Sequence, residues 1–296
     1  MSAPARTPPK THQMLSRWAD GYARRIGEDV ARVRRWIAYM ALGGALERAG
    51  FYGDGPRFTI KGGVALELRL RARARATRDL DLIVNHPTAG LLDELDGALA
   101  ASFESFSFRR HGSMRALPGG ALRVEVAVQY GGKSWARIQV DLSRREAEVA
   151  EFEMVPALHF PDYAFGFPEH LPCLSLYAQA AQKIHGMTRP STATWTNDRF
   201  KDLVDLLLLS ELIDDVAAFR ITCERVFAAR GTHPWPPPIE APASWREPFR
   251  VLAEQVALSV TDIDEALVCA RGFLETVEPR LSPVIAVAVP VHLRAR

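Results

Sequence analysis

At 296 residues and 48% hydrophobic side chains, the chain has enough apolar material for one large domain or two modest ones, which excludes disorder as its default state. Its charge is ordinary and nearly balanced, with 37 Lys and Arg against 35 Asp and Glu, so the net charge of +2 selects no class of partner. Cys173, Cys223 and Cys269 lie far apart, with no His or Cys at ligand spacing, which excludes a zinc module and a disulfide framework.

No apolar run approaches the roughly 18 residues of a membrane-spanning helix. The first 30 residues are punctuated by Arg6, Lys10, Arg17 and Arg24, unlike a signal-peptide core. The expectation is a cytoplasmic protein with no membrane contact.

In chain order, residues 1–10 carry three prolines and are expected to form a disordered tail. Helices are predicted near 11–26 and 28–49 from apolar residues at three and four spacing. Gly50, Gly53, Gly55 and Pro56 mark a loop, followed by a short strand at 57–60, Gly62-Gly63 and a helix over 64–70. Residues 78–84 read as a strand with Leu80, Leu82 and Val84 on one face and Asp79, Asp81 and Ile83 on the other. A helix near 88–101 precedes strands at 106–117, 121–130 and 135–142, the last two joined as a hairpin at Gly131-Gly132. From Ser175 the pattern is helical (175–187, 199–212, 214–230, 245–259, 262–278), broken most clearly at Pro234–Pro238. The expected organisation is a mixed α/β unit over 11–170 and a helical unit over 171–296.

Several groups invite chemistry, each with a plainer alternative. Asp79 and Asp81, two apart on a strand, point to one side about 7 Å apart. Mg²⁺ takes one or two carboxylates plus substrate phosphates, yet an Asp-x-Asp on a strand also serves as a solvated face. Lys61-Gly62-Gly63 stands at a strand-to-helix junction, where exposed N–H groups and the helix dipole favour a phosphate; a plain tight turn would also use these glycines. Asp141 closes the apolar strand Ile138-Gln-Val140 and is either a third metal carboxylate or a turn cap. Facing the metals, it would also be a candidate base for the acceptor hydroxyl.

In the helical half, Lys183 lies among Ala180, Ala181, Ile184 and Met187. It either reaches into a cleft toward a triphosphate or snorkels to solvent. Asp202 and Asp205 share a helix face beside Lys201 and can orient Lys183, bind an acceptor or form an ordinary acidic face. Arg69, Arg71, Arg73, Arg75 and Arg78 form the densest basic cluster, suited to phosphate or to a solvated loop.

The order Lys61-Gly-Gly-Val-Ala-Leu-Glu-Leu68, Thr77-Arg-Asp-Leu-Asp-Leu82, Gln139-Val-Asp141, Gln182-Lys-Ile184 and Arg199-Phe-Lys-Asp-Leu-Val-Asp-Leu206 resembles the AbiEii-type nucleotidyltransferases. These are toxins of bacterial toxin–antitoxin and phage-defence systems, within the DNA polymerase β-like superfamily. The resemblance spans roughly residues 55 to 210. It implies an α+β fold: a polymerase β-like core with a mixed sheet flanked by helices, then a helical domain completing the cleft.

It further implies that Asp79 and Asp81, with Asp141, hold Mg²⁺ or Mn²⁺, and that Lys61, Gly62, Gly63, Thr77 and Lys183 contact the nucleoside triphosphate. Either Asp202 or Asp205 completes the catalytic set. The family often has Ser where Gly63 stands, and the Arg-Ala run lengthens the segment before Thr77.

The expected function is metal-dependent transfer of a nucleoside monophosphate from NTP to RNA, foremost the tRNA 3′ acceptor end, by a toxin with a cognate antitoxin. The alternatives are transfer to a protein or small-molecule hydroxyl, and a non-catalytic nucleotide- or partner-binding module.

Overall fold

The computed structural model describes residues 6–86, 90–144 and 151–278. Helix α1 (His12–Ile26) starts where the Thr11 side chain accepts from the Met14 N–H and stops at Gly27, whose φ of 71° suits a left-handed cap. Helix α2 (Val30–Arg48) is capped by Asp29. It is buried on nearly every side from Val33 to Leu46, as a helix apolar around its whole circumference must be.

A small ribbon of β1 (Phe51–Tyr52) and β2 (Gly55–Pro56) leads to β3 (Phe58–Lys61). Helix α3 (Gly62–Leu70) follows without a loop, then a 3-10 turn at Arg71–Arg73 and β4 (Asp79–Val84). Helix α4 (Leu91–Leu99) is followed by β5 (Phe106–Ala116), β6 (Leu122–Tyr130), β7 (Lys133–Arg144), β8 (Phe152–Pro156) and β9 (His170–Leu174). The strands β3 to β9 build one sheet in the order β5-β6-β7-β4-β3-β9-β8. It is mixed: β4 runs parallel to β7 and β3 parallel to β9, and the other neighbouring pairs are antiparallel. Helices α5 (Leu176–Thr188), α6 (Phe200–Ser210), α7 (Val216–Arg230), α8 (Arg246–Gln255) and α9 (Ile263–Val277) complete the chain.

Buried side chains fall into two clusters. The first joins α1, α2 and α4 to one sheet face, through Leu80, Leu82, Val84, Val124, Val126, Val128, Ile138, Val140 and Leu142. The second is the interior of the helical half, and it takes in Leu66 and Leu70 from α3, Ile83 from β4 and Leu174 from β9. The alternation read along β4 is therefore real, and Ile83 on its polar side is buried against the helices.

Three sequence expectations need correction. The part of the expected tail that is described, Arg6 to Lys10, is held in place. The Arg6 N–H donates to the Asp162 carbonyl at 3.0 Å, and the buried Tyr130 hydroxyl donates to the Pro9 carbonyl. Residues 1–5 lie outside the described residues. Strands β8 and β9 escaped the sequence reading because Pro156 and Pro172 break their pattern. Consequently residues 171–174 belong to the sheet, and the helices begin at Leu176.

Candidate active site

Strand register assembles the charges. The parallel β4–β7 pairing sets Asp81 beside Asp141 and Asp79 beside Gln139. The β3–β4 pairing sets Lys61 on the other side of Asp81, and the β6–β7 pairing sets Arg123 beside Asp141. In-register neighbours share a face, so Lys61, Asp81, Asp141 and Arg123 form one row across four strands. The opposite face of these strands is the apolar core, so the polar residues have no other side to occupy.

The turn from β3 into α3 is shaped around Asp81. Gly62 has φ 64°, and a Cβ there would overlap the Asp81 carboxylate, with Cγ at 2.8 Å. Glycine is thus required twice at this position, for the left-handed backbone and for the close approach. The Gly62 carbonyl accepts from Gln179 Nε2 of α5 at 2.9 Å. Gly63 is buried, and a Cβ on it would come within 2.6 Å of Thr77 Cβ. The Thr77 side chain therefore fills the space in which a serine at 63 would sit, and its hydroxyl donates to the Asp79 carbonyl at 3.3 Å.

Burial raises the Asp79 carboxyl above its ordinary range, with Asp141 adding to the rise and Arg123, Lys201 and Arg75 opposing it. Asp81 is raised likewise, chiefly by burial and then by Asp141 and Asp79, against Lys61 and Lys183. At both carboxylates burial outweighs the cations within reach, and a divalent ion bound between them would favour the charged forms.

Asp141 differs. Arg123 donates to it through Nε and Nη2, both at 2.7 Å, a bidentate fork that engages both carboxylate oxygens. Among the described residues no three His, Cys, Asp or Glu side chains converge as a metal cage, so the expected Asp79–Asp81–Asp141 cage is not preformed. The residues fit a divalent ion in the narrower sense: Asp79 and Asp81 offer two carboxylates, the number Mg²⁺ accepts when substrate phosphates and water complete its shell.

Lys183 does not snorkel. Its Nζ lies 2.7 Å from Asp202 Oδ1 and 2.8 Å from Asp205 Oδ2, and both carboxylates are buried. Asp205 also receives Arg75 through Nε at 2.9 Å and Nη2 at 3.1 Å, and Asp202 receives Arg199 at 3.1 Å. A chain of alternating charge, Arg75–Asp205–Lys183–Asp202–Arg199, results, buried at its centre and exposed at Arg199. Burial pulls the Lys183 pKa down, but Asp202 and Asp205 overcome it and the net shift is upward. Burial pushes Asp205 up, and Lys183 with Arg75 brings it below its ordinary value. The close packing of α5 on α6 passes over Gly186, where a Cβ would lie 2.9 Å from Asp202 Oδ2.

The arginine run is not an open basic patch. Arg69 binds Glu153, Gln179 and the Leu174 carbonyl, and Arg71 binds the carbonyls of Pro156 and Ala157. Arg73 pairs with Glu211 and Arg75 with Asp205. Four of these side chains bind the chain itself, and Arg78 is exposed.

Sequence reasoning missed Arg123 and Gln179. The first had one usable signal, the alternation of Arg123 and Glu125 with Val124 and Val126 along β6.

The family model for the nucleotidyl transferase AbiEii toxin of type IV toxin–antitoxin systems matches residues 44–269. No curated protein matches the chain. Among solved structures, MenT4, a nucleotidyltransferase toxin from Mycobacterium tuberculosis H37Rv, superposes with a TM-score of 0.51 at 20% identity, covering 91% of this chain and 97% of its own. At that identity the likeness concerns the fold. An antigenic nucleotidyltransferase-like protein from Paracoccidioides brasiliensis gives a TM-score of 0.41 at 14% identity, over 66% of this chain and 88% of its own.

Proposed function

Because the chain belongs to the AbiEii nucleotidyltransferase toxin family, we propose that it transfers a nucleoside monophosphate from an NTP to the 3′ end of RNA, foremost the tRNA acceptor end. The observation that carries the reading is the Asp79/Asp81 pair at the start of α3, with Asp81 clasped beneath Gly62 and within electrostatic reach of Lys61 and Lys183.

In this reading Asp79 and Asp81 hold Mg²⁺ or Mn²⁺. A divalent ion there supplies Lewis-acid stabilisation of the reacting oxygens during in-line displacement. The remaining work falls to the chain. Gly62 and Gly63 open α3 and direct its N-terminal N–H groups and dipole at the triphosphate. Lys61 and Thr77 flank that approach. Lys183, kept charged by Asp202 and Asp205, presents a fixed positive charge to the same phosphates. Asp202 and Asp205 are positioning residues, because each reaches the site through Lys183. Asp141 is the candidate base for the acceptor hydroxyl, a role it takes up when Arg123 releases its carboxylate.

The family's type IV toxin–antitoxin assignment supports a cognate antitoxin as a partner in the cell. No helix of the described residues is long and apolar enough to cross a membrane.

The test is incubation of wild type and Asp79→Ala with total RNA, Mg²⁺ and each α-labelled NTP in turn, resolved on a denaturing gel. Label on tRNA-sized species from wild type alone is the expected result. Label on protein or on a small hydroxylated acceptor, with none on RNA, would replace the acceptor.

A further inference from the structure

The row of charges at the active site does not end at Arg123. On the next strand, β5, Arg115 is in register with Arg123, so Arg115, Arg123, Asp141, Asp81 and Lys61 cross five neighbouring strands on one face. In a second row Arg109 of β5 is in register with Ala127, and Ala127 with Arg137 of β7. This face is open. Its outer part, from Arg109 to Ala116, is exposed apart from Arg110, which turns to the other face and pairs with Asp96.

The partners on this face leave a definite surplus. Arg123 is held by Asp141. Arg137 and His111 both approach Glu125, at 3.3 and 4.0 Å. Arg109 and Arg115 have no carboxylate of their own among the described residues. The surplus positive charge therefore lies at the outer end of a surface whose inner end is the Asp79/Asp81 pair.

We propose that the β5–β6–β7 face is the track for the acceptor strand of RNA, with Arg109 and Arg115 holding its phosphodiester backbone while its 3′ hydroxyl lies at the carboxylates. The proposal rests on the RNA reading above and adds the path. Strands spaced about 4.8 Å apart put β5 roughly 14 Å from β4. At about 3.4 Å of rise per phosphate along one strand of a duplex, that span takes roughly four nucleotides. Backbone contacts of this kind set register without reading sequence, leaving the choice of RNA to other features. Edge arginines also discourage sheet-to-sheet pairing, but that role requires no alignment with the catalytic row. The arginine run at 69–75 is not an alternative track, because each of its side chains already binds a carboxylate or carbonyl of the chain, Arg73 in an exposed pair with Glu211.

The test compares full-length wild type, Arg109→Gln/Arg115→Gln and a control, Arg220→Gln/Arg250→Gln, which removes equal charge from α7 and α8. The probe is a fluorescent hairpin RNA with a short single-stranded 3′ end, titrated at several salt concentrations without NTP. Binding of α-labelled NTP with Mn²⁺ is measured alongside as a check on the site itself. The β5 variant should lose roughly tenfold in RNA affinity and about 1.4 from the salt slope, two contacts at about 0.7 each. Its NTP binding should be unchanged and the control should match wild type.

If wild type binds and labels RNA while the β5 variant binds it equally well, or the control loses as much, the track is wrong and the RNA function stands. If wild type neither binds nor labels RNA, the function itself falls and the track with it. Retention of polyglutamate through Arg109 and Arg115, in a protein that ignores RNA, would assign this face to an acidic protein partner and overturn the proposal.

Discussion

Asp81 and Gly62 constrain one another, and that contact is the most sensitive point of the site. Gly62→Ala adds a methyl group where the Asp81 carboxylate lies and puts a side chain on a backbone at φ 64°. A strained left-handed residue costs of order 1–3 kcal/mol. The displaced carboxylate should abolish transfer even where the protein remains folded. Thermal unfolding and Mn²⁺ binding separate the two effects, and a variant with wild-type metal affinity would refute the clasp. Arg123 offers the opposite experiment. Arg123→Gln removes the fork on Asp141 and should tighten Mn²⁺ binding several-fold, read by calorimetry in the absence of NTP. Unchanged affinity would mean that Asp141 takes no part in holding the ion. The carboxylates and glycines were legible because their spacing is local: two residues apart on a strand, or adjacent at a turn. Arg123 was not, and the reason is a bulge. A strict hairpin about Gly131-Gly132 would pair Leu122 with Asp141, but the register shifts between Val128 and Gln129, bringing Arg123 opposite. One inserted residue changes which side chain faces the site, and composition gives no sign of it.

At the scale of elements, α3 is a wedge whose faces serve both hydrophobic clusters, with Val64, Ala65 and Leu68 in one and Leu66 and Leu70 in the other. It is fastened to α2 by a buried ion pair, Arg32 Nε to Glu67 Oε1 at 3.0 Å, and Arg32 also donates to the Ala74 carbonyl. Burial raises the Glu67 carboxyl and Arg32 opposes the rise. Glu67→Ala removes the more deeply buried of the two carboxylates on Arg32 and leaves Glu28, at 3.2 Å, to hold the guanidinium, so the expected loss is that of a charged hydrogen bond, roughly 1.5–3 kcal/mol of stability; denaturant unfolding checks it, and a loss below about 1 kcal/mol would contradict the burial argument.

A second element-scale device is pH-sensitive. His185 of α5 packs edge-on against Phe227 of α7, and its Nε2 lies 2.8 Å from Thr232 Oγ1. Burial, followed by Arg230, His233, Arg189 and Arg199, lowers its pKa to about 4. The unfolded chain takes up this proton near pH 6.5, and the folded protein resists until about 4. Stability is therefore intact above the unfolded value and declines as pH falls across that window, by at most about 1.4 kcal/mol per unit. Wild type should lose more stability than His185→Asn between pH 7 and pH 5, and equal losses would acquit the histidine. Helices were legible because their apolar period is strong; β8 and β9 were not, since prolines mask strands that only the assembled sheet stabilises.

Over the whole molecule, the site lies at a seam. The sheet supplies Asp79, Asp81 and Asp141, the helical half supplies Lys183, and Arg75 joins them by leaving the sheet side to fork onto Asp205. The sequence shows an arginine run before Thr77 and two aspartates far downstream. It does not show that one of those arginines meets one of those aspartates, because the pairing depends on how α6 packs against α5. Arg75→Met tests the seam. Asp205 would keep only Lys183, whose charge would then be drawn toward Asp205 and away from the triphosphate. The expected result is a loss of roughly 3 kcal/mol in stability and a fall in kcat larger than the rise in KM, because Lys183 would still be present but misplaced. Arg75→Lys should restore stability in part and kcat little, since an ammonium cannot reproduce the two-pronged contact that fixes the Asp205 orientation. Full recovery with lysine would reduce Arg75 to a charge donor and leave Lys183 positioned by α5 and α6 alone.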